Sequence, residues 1–177
     1  MIKKTDNISQ TFIANFQNPY YIDIAMKILV IHGPNMPLLG KISSTTGTRL
    51  TLDKVNKVLR NKAKELEIEL KIFQFYDEAR IVKIVSRNRN EVAGLLINPC
   101  ALANTCYSLR ELLSIIKIPA VEIHLSEFPF AKESFDNSVL KDIVLDRLIE
   151  SGIDAYIKGL DILYTKIFPK GLEPLEG

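Results

Sequence analysis

The chain carries two histidines, and each closes an apolar run. His32 ends Lys27-Ile-Leu-Val-Ile-His32, and His124 ends Ile118-Pro-Ala-Val-Glu-Ile-His124. Imidazole is the side chain best suited to move a proton near neutral pH, so these two residues are candidates for acid–base work. Neutral amides accompany them: Asn35 in Gly33-Pro-Asn35, Asn98 in Asn98-Pro99, and Asn104 shortly after. Each has a plainer reading as well. A histidine at a strand end can be structural, Asn98 can be a turn former, and Asn104 can cap a helix. Glu122 lies two residues before His124, on the same side of an extended chain, and is placed to orient the imidazole. Cys100 is the nucleophile nearest the second turn, but no activating base is evident in the sequence, so it reads as an inert thiol. Phosphate-binding motifs are absent, since there is neither a G-x-x-x-x-G-K-[ST] nor a G-x-G-x-x-G.

What positions these groups is a set of short apolar runs separated by helical patterns. The run 28–31 goes straight into a Gly-Pro turn, as a strand buried on both faces does. Thr51 caps a helix through Leu52, Val55, Leu59 and Leu66. Residues 67–73 alternate as a second strand, and Asp77-Glu78 begins a second helix. Residues 92–98 form a third strand, ended by Asn98-Pro99. A third helix begins near Asn104. Residues 118–124 form the fourth strand, and a short helical turn is expected around Pro129 to Phe135. A fifth strand falls within 143–149. Ser151-Gly152 then leads to a last helix through Tyr156 and Leu163, which Phe168-Pro169 stops. Residues 41–49 read as a polar loop lying over a site.

Strands alternating with helices imply an α/β protein: a flavodoxin-like three-layer sandwich whose five-stranded parallel sheet has the order 2-1-3-4-5. Ligands of such sheets bind where the strand order reverses, here between Gly33-Pro-Asn35 and Asn98-Pro99. Residues 26–168 form one domain. Residues 1–25 lack its periodicity and read as an extension, with Met26 an alternative start, and 169–177 form a tail. The net charge of +2 among 177 residues gives no reason to expect nucleic acid or a membrane surface. No apolar run approaches the ~18 residues of a spanning helix. Two cysteines make neither a disulfide framework nor a zinc site, and a cytoplasmic location fits. The residues by themselves lead to a small polar ligand in an α/β crevice.

Three separated motifs carry this further. Gly33-Pro-Asn35 with Leu38-Leu-Gly40, Ile97-Asn-Pro99 with Ala101 and Leu109-Arg110, and Val121-Glu-Ile-His124-Leu-Ser126 resemble type II 3-dehydroquinate dehydratases, in order and at near-family spacing. The resemblance implies anti elimination of water from 3-dehydroquinate, no metal or organic cofactor, and self-association as a trimer or dodecamer. It implies that Asn35 positions an enolate-side water. It makes Asn98, His124, Leu125, Ser126 and Lys132 substrate-binding, makes Glu122 and Glu78 supporting acids, and lets Glu111 reach a neighbouring subunit's site.

The departures from that pattern fall on the proton-transfer pair. The family's basic Tyr falls on Gly47 or Thr46, and its acid His on Asn104. The loop Arg falls on Ile42 or Ser43, Cys100 replaces a Gly, and Asp136 replaces a substrate-contacting Arg. Arg49 lies in the same loop without a Tyr to activate. The expectation is a dehydratase-like protein of weak or no dehydratase activity that keeps a crevice for a small polar or carboxylate ligand. Two alternatives stand beside it. One is a lyase or isomerase of another hydroxylated ring acid working through His32. The other is an active dehydratase with a relocated base, for which Tyr76 and Tyr107 are the candidates.

Overall fold

The computed structural model describes residues 27–45, 47 and 49–168. The readings of 1–25, Met26, Thr46 and 169–177 lie outside them. Strands β1 (Lys27–His32), β2 (Glu69–Gln74), β3 (Gly94–Asn98), β4 (Ala120–Leu125) and β5 (Asp146–Glu150) form one sheet. Its order is β2-β1-β3-β4-β5, and all four pairings are parallel. The expected flavodoxin-like sandwich is therefore the observed fold. Among the described residues six α-helices connect and cover the strands: α1 (Leu39–Ser44), α2 (Leu52–Glu65), α3 (Glu78–Asn88), α4 (Tyr107–Ile116), α5 (Ala131–Asp136) and α6 (Asp154–Ile167).

Alternation along each buried strand sorts the core into two layers. Ile28, Val30, Leu96 and Ile123 pack with Val55 and Leu59 of α2 and with Leu160 and Leu163 of α6. Leu29, Ile31, Leu95 and Ile97 face the other way, onto Ile81 and Val85 of α3 and Leu109 and Leu113 of α4. Each such fully buried side chain contributes about 1.5–3 kcal/mol relative to exposure. Two helices start on side-chain caps, which satisfy amides the helix itself leaves unpaired. Thr51 Oγ1 accepts from the Lys54 amide at 3.2 Å, and the Asp77 carboxylate accepts from the Arg80 amide at 2.9 Å.

Three local readings are corrected. The polar stretch after Gly40 begins as helix, because α1 runs to Ser44, where the buried Ser43 hydroxyl donates to the Leu50 carbonyl at 2.8 Å. The helix placed near Asn104 begins at Tyr107; Cys100–Asn104 form a separate 3-10 turn, and Asn104 caps nothing. The fifth strand, expected within 143–149, runs Asp146–Glu150 and so passes that window by one residue, while Ile143 and Val144 turn back onto the Leu140 carbonyl.

Candidate active site

The turns after β1 and β3 meet at the point where the strand order reverses. The Gly33 amide donates to the Asn98 carbonyl at 2.7 Å. A Cβ on Gly33 would stand 2.6 Å from the Pro99 carbonyl oxygen, so only glycine lets the two turns close. Asn35 (φ 67°) and Cys100 (φ 52°) both take left-handed backbone conformations here. Asparagine accepts this more readily than most residues, whereas for cysteine it costs about 1–2 kcal/mol.

A cavity of about 360 Å³ opens between these turns and the segment after β4. Its polar lining comes from Asn35, Asn98, Cys100, His124 and Ser134, and its walls from Leu38, Ile42, Leu125, Phe128 and Phe130, among others. That size suits a small single-ring ligand.

Beneath the β1–β3 side lies a wholly neutral hydrogen-bonded chain. The Cys100 thiol donates to Asn98 Oδ1 at 3.2 Å, and Asn98 Nδ2 donates to the Tyr156 hydroxyl at 3.3 Å. That hydroxyl reaches His32 Nδ1 at 2.9 Å, and His32 Nε2 reaches Asn56 Oδ1 at 2.8 Å. Because Asn56 Oδ1 can only accept, the His32 proton sits on Nε2, and Nδ1 accepts from Tyr156. Burial lowers the His32 pKa from 6.5 to about 4, against the opposing effect of the Asn56 hydrogen bond. Burial also raises the Cys100 thiol to about 12. It keeps the Tyr156 hydroxyl protonated too, its pKa well above the usual phenol range.

The β4–β5 side is charged. His124 Nε2 lies 2.8 Å from Glu122 Oε1, and Arg147 Nε donates to Glu122 Oε2 at 2.9 Å. Arg147 also donates to the Phe135 carbonyl and stacks 4.0 Å above the Phe135 ring. Burial works to raise the Glu122 carboxyl, but hydrogen bonds from His124, Ser138 and Arg147, with the His124 charge, leave it below its ordinary value. With Nε2 held by Glu122, the His124 ring lines the cavity with Nδ1 as its remaining nitrogen.

Of the residues expected at the site, Asn35, Asn98, His124 and Leu125 line the cavity. His32 does not; it is fully buried, and both ring nitrogens are engaged on the α2–α6 side. Gly47 is exposed with open space around it, Ser126 is exposed, and Glu111 is exposed. Lys132 spends its charge on Asp136 at 2.7 Å. Glu78 accepts from the Leu109 amide at 3.0 Å and so ties α3 to the start of α4. Asn104 stands outside the lining, with a buried Oδ1 that has no hydrogen-bond partner among the described residues. Tyr76 and Tyr107 are exposed and also outside the lining. The sequence reading missed Arg147, Tyr156 and Asn56. Tyr156 was visible only as one apolar position of the last helix. Among the described residues no group of three or more His, Cys, Asp or Glu side chains is gathered as for a metal.

A parallel sheet of this order, with a polar-floored crevice at the carboxyl ends of β1, β3 and β4, defines a doubly wound α/β protein whose cavity lies at its switch point. The family model for dehydroquinase class II matches residues 26–164, and the chain belongs to that family. The 3-dehydroquinate dehydratase of Endomicrobium trichonymphae is 36% identical over 135 residues, covering 76% of this chain and 94% of that one. The Geotalea daltonii 3-dehydroquinate dehydratase is 34% identical over 142 residues, covering 80% and 99%. The crystal structure of the type II dehydroquinase from Butyrivibrio crossotus matches with a TM-score of 0.70 at 27% identity, covering 78% and 97%. No helix among the described residues is long and apolar enough to cross a membrane.

Proposed function

We propose that this chain is a self-associating, cytoplasmic dehydroquinase-like protein that binds a small polar ligand in its crevice and has little or no dehydratase activity. The observation that carries this reading is the lining of the cavity. Asn35, Asn98, Ser134, His124 and a thiol held protonated are its polar groups, and among the described residues no tyrosine lines it. An anti elimination takes a proton from one face of the ring and delivers one to a hydroxyl leaving from the other. One imidazole can serve only one of those faces, so His124 supplies at most half of the chemistry. A general base or acid contributes typically about 10²–10⁴ in rate. Gly47 or Thr46, and Asn104, which the resemblance sets at the family's Tyr and His positions, are residue types unsuited to act as the base or the acid. The lyase or isomerase alternative loses its support, since His32 is fully buried and both its nitrogens are taken.

The test is a turnover assay on the purified full chain with 3-dehydroquinate, followed by enone absorbance and run beside calorimetric titration. Saturable binding of a ring ligand with turnover roughly 10³-fold or more below that of a family enzyme supports the reading. A rate in the ordinary enzyme range would establish a relocated base and overturn it. Sedimentation velocity tests the expected trimer or dodecamer, and a monomer would remove that part.

A further inference from the structure

Asn98 lines the cavity, yet it has no hydrogen-bonding capacity left for what enters there. A primary amide offers two acceptor lone pairs and two donor hydrogens. The Asn98 oxygen accepts from the Cys100 amide at 3.1 Å and from the Cys100 thiol at 3.2 Å. Its nitrogen donates to the Tyr156 hydroxyl at 3.3 Å and to Met36 Sδ at 3.4 Å. All four positions are filled. The Cys100 amide belongs to the backbone, and Met36 and Tyr156 are fully buried, so these three partners come with the fold. The thiol is different. It is present only because residue 100 carries a side chain where the resemblance sets a glycine.

Exposure puts that thiol on the outer side of the set. Asn98 is 1% exposed, whereas Cys100 is partly exposed, and both line the cavity. Burial pushes the Cys100 thiol up to about 12, so it keeps the hydrogen that it gives to Asn98. Turning the Asn98 amide toward a ligand would break all four bonds and take the Asn98 donor away from the chain through Tyr156 to His32. The amide therefore stays where it is. Sulfur is itself a weak acceptor, so the cavity meets a poor hydrogen-bonding group in front of a good one.

We infer that Cys100 is a specificity-determining residue: by giving its thiol hydrogen to the Asn98 oxygen, it closes that oxygen to ligand hydroxyls and weakens the pocket's preference for polyhydroxylated rings. The inference rests on reading the crevice as a ligand site, and it says which polar groups a ligand meets there. Asn35, whose side chain makes no capping hydrogen bond, stays available; Asn98 does not. Removing the thiol while keeping Cβ returns one lone pair of the Asn98 oxygen to the cavity.

The experiment uses the full chain, as wild type and as Cys100→Ala, with quinate and cyclohexanecarboxylate, rings that share a carboxylate and differ in their hydroxyls. Dissociation constants come from ligand-observed NMR titration. Cys100→Ala should bind quinate about 3- to 10-fold more tightly than wild type and cyclohexanecarboxylate about equally. Equal or weaker quinate binding overturns the inference. So does an equal gain for both rings, which would mean that the sulfur only filled space. Cys100→Gly, free of the left-handed strain, should repeat the quinate gain. A ligand-free infrared difference spectrum, wild type minus Cys100→Ala, reads the thiol directly. Its S–H stretching band should lie below that of a free thiol, and a band at the free-thiol frequency overturns the inference whatever the rings do. In each of these outcomes quinate binding to the wild type leaves the crevice reading standing. If neither ring binds any of the three proteins at about 10 mM, the crevice reading itself falls, and this inference with it.

Discussion

The two histidines occupy equivalent places, each at the carboxyl end of a central parallel strand, yet they belong to opposite kinds of environment. His32 shares a strand face with Ile28 and Val30, the face that α2 and α6 cover, and it is held there by Asn56 and Tyr156 in an uncharged network. His124 shares its face with Glu122, opposite to Val121 and Ile123, and meets a buried carboxylate that hydrogen bonds from His124 itself, Ser138 and Arg147 hold below its ordinary pKa. One imidazole has become part of the core, and the other part of the pocket. Residue type at a strand end therefore says little about function; the parity of the position and the charge of its neighbours decide.

The largest effect that could test this contrast is removal of Glu122. Glu122→Ala leaves the Arg147 guanidinium without its carboxylate and should cost about 3–5 kcal/mol in urea unfolding. A loss under about 1 kcal/mol would mean that the β4–β5 cluster is no more than a surface pair. Arg147→Ala combined with it should cost less than the sum of the two singles, because the pair acts as a unit.

Next comes acid. In the unfolded chain the His32 imidazole binds its proton near the ordinary 6.5, whereas folded it does so only near 4. Between those values the unfolded state holds more protons, so the contribution is complete above pH 6.5. It falls away toward pH 4, by about 3 kcal/mol in all. Glu122, held below the ordinary carboxylate value of 4.5, loses its contribution in the same direction but lower, as the pH falls below that value. Denaturation across this range should show the upper slope in wild type and lose it in His32→Gln. If the slope persists in the variant, His32 is not its source.

A smaller effect sharpens the neutral half. Tyr156→Phe removes the hydroxyl between Asn98 and His32 and should cost about 1–2 kcal/mol in chemical unfolding. Ring-ligand affinity should move little, because Tyr156 does not line the cavity. A large affinity loss would tie the neutral network to binding after all. The smallest effect belongs to Cys100→Gly, which relieves a left-handed cysteine at φ 52°. Thermal unfolding should show a gain of up to about 1 kcal/mol, offset in part by the entropy glycine adds to the unfolded chain. A loss would mean that the thiol bond to Asn98 outweighs the strain.

How much of this was legible in the sequence follows from the same contrast. The doubly wound sheet could be read because 28–31 and 94–97 are apolar on both faces, a pattern that only a covered parallel strand requires. The caps at Thr51 and Asp77 were readable because they depend on residues three apart. Gly33-Pro-Asn35 and Asn98-Pro99 could be set at the crevice from topology alone. His32 could not be assigned correctly, because its partners are 24 and 124 residues away and on two different helices. Arg147 was invisible for a like reason: in sequence it is one basic residue on an edge strand, and only the β4–β5 register sets it across from Glu122. Helix α1 was hidden because its polar residues, Lys41, Ser43 and Ser44, satisfy the first turns of a helix as well as a loop.

The hydrogen bond from Ser43 to the Leu50 carbonyl closes the segment between α1 and α2 at its base. It acts as a clasp, so that what lies between can be lengthened while the helices on either side stay in register. Gly47, exposed and with nothing within 4 Å of a Cβ added there, is the place for such an insertion. Doubling the length of that loop should cost only about 0.6 kcal/mol. A fluorophore carried there would sit five residues along the chain from Ile42 on the pocket wall, so Gly47 is an attachment point for reporting what enters the cavity.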